Sequence, residues 1–159
     1  MPEREPLRDL ARELPLRPAP PAAPAGREAS LLERFGGSEA VARVVDAFYG
    51  RIERDPELRP LFPEDPGPGR EKQKLFLDQW LGGEPRYSEQ HGPPMLRRRH
   101  FPFVISQRAA ERWLGHMRAA IEACGVPAEA AAEVMAGLAP LARHMVNEGD
   151  DVSRTPLEW

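Results

Sequence analysis

The sequence predicts an all-α fold. In several stretches the apolar residues recur at the three- and four-residue spacing of an amphipathic helix. The clearest of these stripes comprises Val41, Val44, Val45, Phe48, Tyr49 and Ile52. Glycine and proline residues separate such stretches, as they do at the ends of helices. No stretch alternates apolar and polar residues as a half-buried β-strand does, and the chain has no internal repeat.

Glycine, proline and capping residues predict where the helices begin and end. Gly36-Gly37 ends a first short helix, Ser38 is expected to cap the second helix, and Ser106 is expected to cap a later one. The expected order is a short helix at 29–35, a long helix at 38–55, a loop at 63–69, a helix at 70–81, an irregular connection at 84–95, a single turn at 96–100, a helix at 106–124 and a last helix at 128–147.

The length of 159 residues suggests one domain with terminal extensions. Residues 1–27 are interpreted as a disordered tail, because four prolines within seven residues forbid a continuous helix and favour polyproline II. The domain is expected over residues 28–150, followed by a short extension at 151–159. A linker is the more common role for such a tail, while docking to an aromatic groove of a partner is the alternative.

Composition excludes several classes of function. The net charge of −3 gives no attraction to nucleic acid or to anionic membranes. No apolar run approaches the roughly 20 residues of a membrane-spanning helix. The N-terminal MPEREPLRDL lacks the apolar stretch of a secretory signal, which leads us to expect a cytoplasmic protein. The single cysteine rules out an intrachain disulfide and any multi-cysteine metal site.

Motifs for hydrolytic, zinc or phosphate chemistry are absent from the sequence, so no catalytic residue is assigned. A prosthetic group held between helices agrees better with the sequence than these chemistries do, and His100 is the candidate ligand for it. Haem requires an imidazole for its iron, apolar walls for the porphyrin and cations for two propionates. His100 offers the imidazole, the preceding Arg97-Arg98-Arg99 offers cations, and the following Phe101 offers an apolar surface. Taken alone, such a histidine is more often structural, so both interpretations stay open at this point.

An ordered series of motifs extends over residues 28–150. Each motif is weak alone, but their order is specific. The series is Gly36-Gly37, Phe48-Tyr49, LFPED at 61–65, FLDQWLGG at 76–83, YSEQHG at 87–92, LRRRHFPF at 96–103, Trp113 and ARHMVN at 142–147. In this series the chain resembles the truncated haemoglobins, and specifically their second group.

The resemblance implies a two-over-two helical sandwich around haem b, with His100 as the proximal iron ligand. It also implies propionate partners and other cofactor contacts, namely Arg97, Arg99, Lys72, Tyr87, Phe76, Leu96, Phe103 and Met145. On the distal side it implies ligand contacts at Tyr49, Gln73, Trp113, Phe62 and Gly69. Phe62 stands where some members carry tyrosine, so one hydroxyl donor is absent, and Gly69 leaves the gate of the pocket without a side chain.

The function implied is binding of dioxygen or another small diatomic ligand, with an unknown redox partner. Peroxide reduction and nitric oxide oxidation are compatible with the family as side activities, and the sequence does not choose between them. A dedicated peroxidase is less favoured, because no histidine falls on the distal side to accept a proton. The alternative is a non-haem helical interaction module that recruits a partner through the Pro-rich tail. A visible absorption spectrum would distinguish these two functions.

Overall fold

The computed structural model describes residues 29–157, and the predicted tail at 1–27 lies outside this range. The elements are α1 (Leu31–Phe35), α2 (Gly37–Glu53), a 3₁₀ turn (Arg59–Leu61), α3 (Gly67–Trp80), α4 (Arg86–His91), α5 (Leu96–His100), α6 (Gln107–Ala123) and α7 (Ala128–His144). No strand occurs between residues 29 and 157, which confirms the all-α prediction. None of the helices in this range is long and apolar enough to cross a membrane.

Helix α2 lies at the centre of the core. It packs against α3 on one side and α6 on the other, and α6 in turn packs against α7. The stripe predicted from the sequence is buried along its whole length, with Val45 and Phe48 fully inaccessible. Full burial of such a side chain stabilises the fold by about 1.5–3 kcal/mol. The pairs α2–α3 and α6–α7 therefore form the two layers of the predicted two-over-two sandwich.

A close contact between α3 and α7 joins the two layers at one end. The Trp80 indole of α3 lies over Gly137 of α7. A Cβ built on Gly137 would stand 2.6 Å from Cη2 of Trp80 and 2.9 Å from its Cζ2. The two helices approach this closely because Gly137 has no side chain.

Gly36 links α1 to α2 in a conformation that glycine adopts most readily. Ser30 and Glu33 form a capping box at the start of α1, and Gly36 ends that helix at a φ of 121°. The same glycine is the N-cap of α2, so the prediction that Ser38 caps this helix was wrong. Ser38 lies inside the first turn, where its hydroxyl donates a hydrogen bond to Asp78 of α3.

Helix α3 begins at Gly67, three residues before the predicted start. Pro68 lies in its first turn, where proline is tolerated because the first amide groups have no partner within the helix. The side chain of Asp65 accepts a hydrogen bond from the backbone N–H of Gly67 at 3.0 Å and fixes this entry. The predicted loop at 63–69 is therefore shorter than the proline and glycine content indicates.

The structure differs from the prediction in one further helix and one further boundary. The connection expected to be irregular at 84–95 contains α4, and α7 ends at His144 rather than at Asn147. Contacts with α3 hold α4 in place: Gln79 donates to the Ser88 hydroxyl at 2.8 Å and accepts from the Ser88 backbone at 3.0 Å. An isolated helix of six residues is not stable in water, so these tertiary contacts determine its structure.

Candidate functional site

His100 is the last residue of α5, and its imidazole forms a hydrogen bond with the backbone of its own helix. Its Nδ1 lies 2.6 Å from the Leu96 carbonyl oxygen. A carbonyl only accepts hydrogen bonds, so Nδ1 carries the proton and donates it. Burial lowers the pKa of His100, an effect that this hydrogen bond partly offsets, and the neutral ring is favoured. Nε2 makes no hydrogen bond with any residue between 29 and 157, so its lone pair is available to a metal ion.

Two cations and two aromatic rings converge beside α5. Burial lowers the pKa of Lys72 on α3, and the nearby guanidinium of Arg99 lowers it further. Burial raises the pKa of Tyr87 on α4, against an opposing effect of Arg99. The His91 ring is tilted by 50° against the Tyr87 ring, with 5.3 Å between centroids, and the His91 carbonyl accepts a hydrogen bond from Arg99 at 3.3 Å. Lys72, Tyr87 and Arg99, three residues predicted as propionate partners, therefore lie close together.

Arg97 lies apart from this group. Its guanidinium forms an ion pair with Asp150 at 2.7 Å and donates to the His144 carbonyl oxygen at 3.1 Å. It also lies over the Phe101 ring, with 5.1 Å between the guanidinium carbon and the ring centroid. Arg97 therefore contacts the C-terminal segment of the chain, whereas Arg99 contacts α4.

The apolar residues predicted to contact a cofactor lie on several elements around α5. Phe76 of α3 is buried and meets the Tyr87 ring edge-on at 5.7 Å between centroids. Met145, directly after α7, is buried, while Leu96 of α5 is half-buried against the core. Phe103, also half-buried, follows α5, and its backbone N–H donates to the His100 carbonyl oxygen at 2.9 Å.

The distal candidate Tyr49 is a buried residue of α2. Its oxygen lies 3.6 Å from the position that a Cβ of Gly69 on α3 would occupy. Its ring makes edge-on contacts with Phe48 and with Phe62, at 5.6 and 5.7 Å between centroids. Burial raises the pKa of Tyr49 to about 12, although Arg70 acts in the opposite direction. The phenol therefore keeps its proton at neutral pH and remains a donor.

Gln73 and Trp113 present two further donors near Tyr49. Gln73 lies one turn after Gly69 on α3, so the two residues share a face of that helix. Trp113 of α6 meets the Phe48 ring at 5.2 Å, and Phe48 in turn contacts Tyr49. Within residues 29–157 the side chains of Tyr49, Gln73 and Trp113 form no hydrogen bond with protein. Three helices thus contribute polar groups that are available to a ligand.

Sequence reasoning missed two residues that support the proximal side. Asn147 is fully buried, and its amide binds the backbone just after His100. Arg154 binds the same backbone from the C-terminal segment. Asn147 belongs to the last motif of the series, but its role depends on contacts 42 to 47 residues away along the chain. No short-range pattern reveals such contacts.

The arrangement fits a haem group. One imidazole has a free Nε2, and the apolar residues predicted as cofactor contacts lie on α3, on α5 and directly after α5 and α7. Lys72 and Arg99 lie close enough for the charge of Arg99 to lower the pKa of Lys72, so two cations are present for an anionic group such as a propionate. These features meet the three requirements of haem ligation, namely an iron ligand, apolar walls and cations.

Comparison with known proteins gives a consistent result. Residues 30–147 match the family described as bacterial-like globin. The chain is 43% identical over 119 residues to group 2 truncated hemoglobin YjbI of Bacillus subtilis, which covers 75% of this chain and 90% of that protein.

Solved structures agree. The group II truncated hemoglobin from Bacillus anthracis has a TM-score of 0.75 at 40% identity, covering 81% of this chain and 99% of that one. The truncated oxygen-avid haemoglobin from Bacillus subtilis has a TM-score of 0.72 at 43% identity, covering 75% and 100%. A group II 2-on-2 hemoglobin from Agrobacterium tumefaciens has a TM-score of 0.74 at 33% identity, covering 79% and 99%. These matches confirm the resemblance and the two-over-two fold, and the chain belongs to the bacterial-like globin family.

Proposed function

We propose that this protein binds haem b through His100 and uses it to bind dioxygen or another small diatomic ligand. Membership of the globin family implies haem with iron, and one similar protein is described as oxygen-avid. The haem supplies the iron site at which a diatomic gas coordinates. The observation that carries the proposal is the imidazole of His100, held at Nδ1 by Leu96 and free at Nε2.

Donation of the Nδ1 proton to a backbone carbonyl serves two purposes. It fixes the tautomer that leaves Nε2 unprotonated, and it increases the basicity of Nε2 toward a metal. The bond is local to α5, spanning four residues from Leu96 to His100. The ring orientation therefore depends on the conformation of this short helix.

Non-covalent binding of haem b is supported by the side chains available. Covalent attachment as in c-type cytochromes uses two cysteines, and this chain has only Cys124. We infer that Lys72, Arg99 and Tyr87 bind the propionates. Arg97 lies apart from this group and contacts the C-terminal residues instead. Phe76, Leu96, Phe103 and Met145 are the proposed apolar contacts of the porphyrin.

The distal donors favour ligands that acquire negative charge. Dioxygen in such a site carries partial negative charge, which the phenol of Tyr49, the amide of Gln73 and the indole of Trp113 would stabilise. Carbon monoxide carries less charge and gains less from these donors. This chemistry suits oxygen binding, sensing or scavenging.

We propose the cytoplasm as the location of the protein, since the free Cys124 is compatible with a reducing compartment.

The test is an absorption spectrum of the purified protein after addition of haem. We expect an intense band at the blue edge of the visible range, which shifts when oxygen or carbon monoxide is added to the reduced protein. His100→Ala should lose haem readily or require free imidazole to restore the spectrum. His116→Ala is the matched control, because His116 binds Asp55 instead and its loss should leave the spectrum unchanged.

Two results would contradict the proposal. A colourless wild-type protein after haem addition would favour the non-haem interaction module. An unchanged spectrum and haem affinity in His100→Ala would remove this residue from the iron.

A further inference from the structure

The helix that carries His100 is too short to hold its own orientation. Helix α5 has five residues, and isolated helices of this length do not persist in water. Contacts with the rest of the chain must therefore determine where the imidazole points. Most of these contacts come from residues that follow α7.

Asn147 binds the backbone at the C-terminal end of α5. Its side-chain N–H group donates to the carbonyl oxygens of His100 at 3.2 Å and Phe103 at 3.0 Å. Its side-chain oxygen accepts a hydrogen bond from the backbone N–H of Ile105 at 3.0 Å. Carbonyl groups at the end of a helix lack partners within the helix, so Asn147 supplies the missing donors.

Arg154 adds a second set of bonds to the same backbone. One guanidinium nitrogen donates to the Phe101 carbonyl oxygen at 2.9 Å, to that of Phe103 at 3.3 Å and to the Asn147 side chain at 2.9 Å. The other nitrogen donates to the Asn147 carbonyl oxygen at 3.2 Å. The positive charge of Arg154 also interacts favourably with the partial negative charge at the C-terminal end of a helix.

Residues 150–155 also bind two arginine side chains of α5. Asp150 forms an ion pair with Arg97 at 2.7 Å, and the Thr155 carbonyl oxygen accepts two hydrogen bonds from Arg98, each 3.1 Å long. Asp150, Arg154 and Thr155 all lie beyond residue 147, where the match to the globin family ends.

We propose that residues 150–155 form a C-terminal clasp that holds α5 and orients His100 toward the haem iron, with Arg154 as the principal positioning residue. This inference rests on the proposed function, since it requires His100 to be the iron ligand. Arg154 acts through the backbone carbonyl groups of Phe101 and Phe103, whereas Asp150 and Thr155 act through the side chains of Arg97 and Arg98.

The test compares Arg154→Ala with Arg154→Lys and with Arg118→Ala, which removes an exposed arginine from α6. For each haem-loaded protein, the transfer of ferric haem to excess apomyoglobin gives the rate of haem loss. Resonance Raman spectroscopy of the reduced protein without gas gives the iron–histidine stretching frequency. We expect Arg154→Ala to lose haem roughly tenfold faster, as the loss of hydrogen bonds to a charged group implies. Its iron–histidine band should shift or broaden.

The controls separate positioning from general stability. Arg154→Lys should give an intermediate haem loss, and Arg118→Ala should match the wild type in both measurements. A lower melting temperature in Arg154→Ala with an unchanged iron–histidine frequency would overturn the proposal, because the clasp would then support only the fold. Should Arg154→Ala not fold, the same comparison in Arg154→Lys decides the question. Failure of the proposed function itself would show as wild-type protein without an iron–histidine band.

Discussion

The hydroxyl group of Tyr49 illustrates how burial prepares one atom for a ligand. Burial raises the pKa of this phenol to about 12, so the proton stays in place at neutral pH. The hydroxyl group forms no hydrogen bond with residues 29–157, so it can donate to a bound ligand without first breaking a bond to protein. A phenylalanine ring of the same shape could not donate this hydrogen bond.

Removal of the distal donors should therefore accelerate oxygen release. A hydrogen bond of about 1 kcal/mol corresponds to roughly a fivefold change, so we expect changes of this order in Tyr49→Phe and in Trp113→Phe. Stopped-flow dissociation of oxygen and carbon monoxide from each protein measures the effect, and carbon monoxide should respond far less. The double variant should be non-additive if both donors bind the same ligand.

A matched control exists because the chain has only two tyrosines. Tyr87→Phe removes the same chemical group from the proposed propionate side and should leave oxygen dissociation unchanged. Equal acceleration of both gases in Tyr49→Phe would indicate steric gating instead of hydrogen bonding.

Asp55 is a buried carboxylate that links three parts of the fold. Burial raises its pKa, but hydrogen bonds from His116, from the Glu57 backbone and from Arg112 outweigh this effect and hold the pKa well below 3.8. A group whose pKa is lower in the folded protein stabilises it above the unfolded value. That stability is lost as the pH falls below 3.8 toward the folded pKa.

Replacement of Asp55 should flatten the acid dependence of stability. We expect wild-type stability to fall as the pH drops from about 4 to about 2, and Asp55→Asn to be less stable near neutral pH but to change less over this interval. Urea unfolding followed by circular dichroism measures both. Asp46→Asn, which alters an exposed carboxylate on α2, should keep the wild-type slope. An Asp55→Asn slope equal to that of the wild type would assign the acid sensitivity to other groups.

Among the helices, α6 has the start that is easiest to identify from sequence. Ser106 was predicted as its cap, and its hydroxyl accepts a hydrogen bond from the Ala109 backbone N–H at 3.0 Å. Ser106→Ala should reduce the free energy of unfolding by about 1 kcal/mol. Ser106→Thr retains the acceptor and should remain within a few tenths of a kcal/mol of the wild type. Chemical denaturation of the three proteins would refute this role if the alanine and threonine variants were equally stable.

The helices that sequence analysis placed well are those whose signals are local. The apolar stripe of α2 lies within the helix that it predicts, and Ser106 is adjacent to the helix that it caps. Helix α4 was missed because Gln79, nine residues before Ser88, holds it in place. Ser38 was misassigned because Gly36, with its positive φ, begins α2 earlier.

The candidate site was predictable only in part, and for the same reason. His100 became a candidate iron ligand through the order of motifs around it, since an isolated histidine carries little information. The convergence of Lys72 and Arg99 depends on how α3 packs beside α5, which no local pattern encodes. The clasp depends on hydrogen bonds from Arg154 to backbone carbonyl groups about 50 residues earlier in the chain. The chemistry of a side chain can be identified in the sequence, whereas contacts between residues distant along the chain can be identified only from the fold.

At the scale of the whole molecule, one close contact between the two layers is the Trp80 indole over Gly137. Alanine in place of a helical glycine normally adds about 1 kcal/mol of stability. At Gly137 the added methyl group would overlap the indole ring, so we expect Gly137→Ala to destabilise the fold by roughly 1–3 kcal/mol. Gly115→Ala on α6 is the control, because a Cβ there has no neighbour within 4 Å, and it should stabilise the protein. Thermal unfolding of both variants would contradict this if their melting temperatures rose together.

The contact at Gly137 has a consequence for protein engineering. Substitution rules that rely on helix propensity cannot distinguish Gly115 from Gly137, since both lie within long helices. Alanine at Gly115 is expected to increase thermal stability, whereas Gly137 is the residue that allows the Trp80 indole to approach α7. A library that varies Gly115 and preserves Gly137 would therefore retain more functional members than one designed from helix propensity alone.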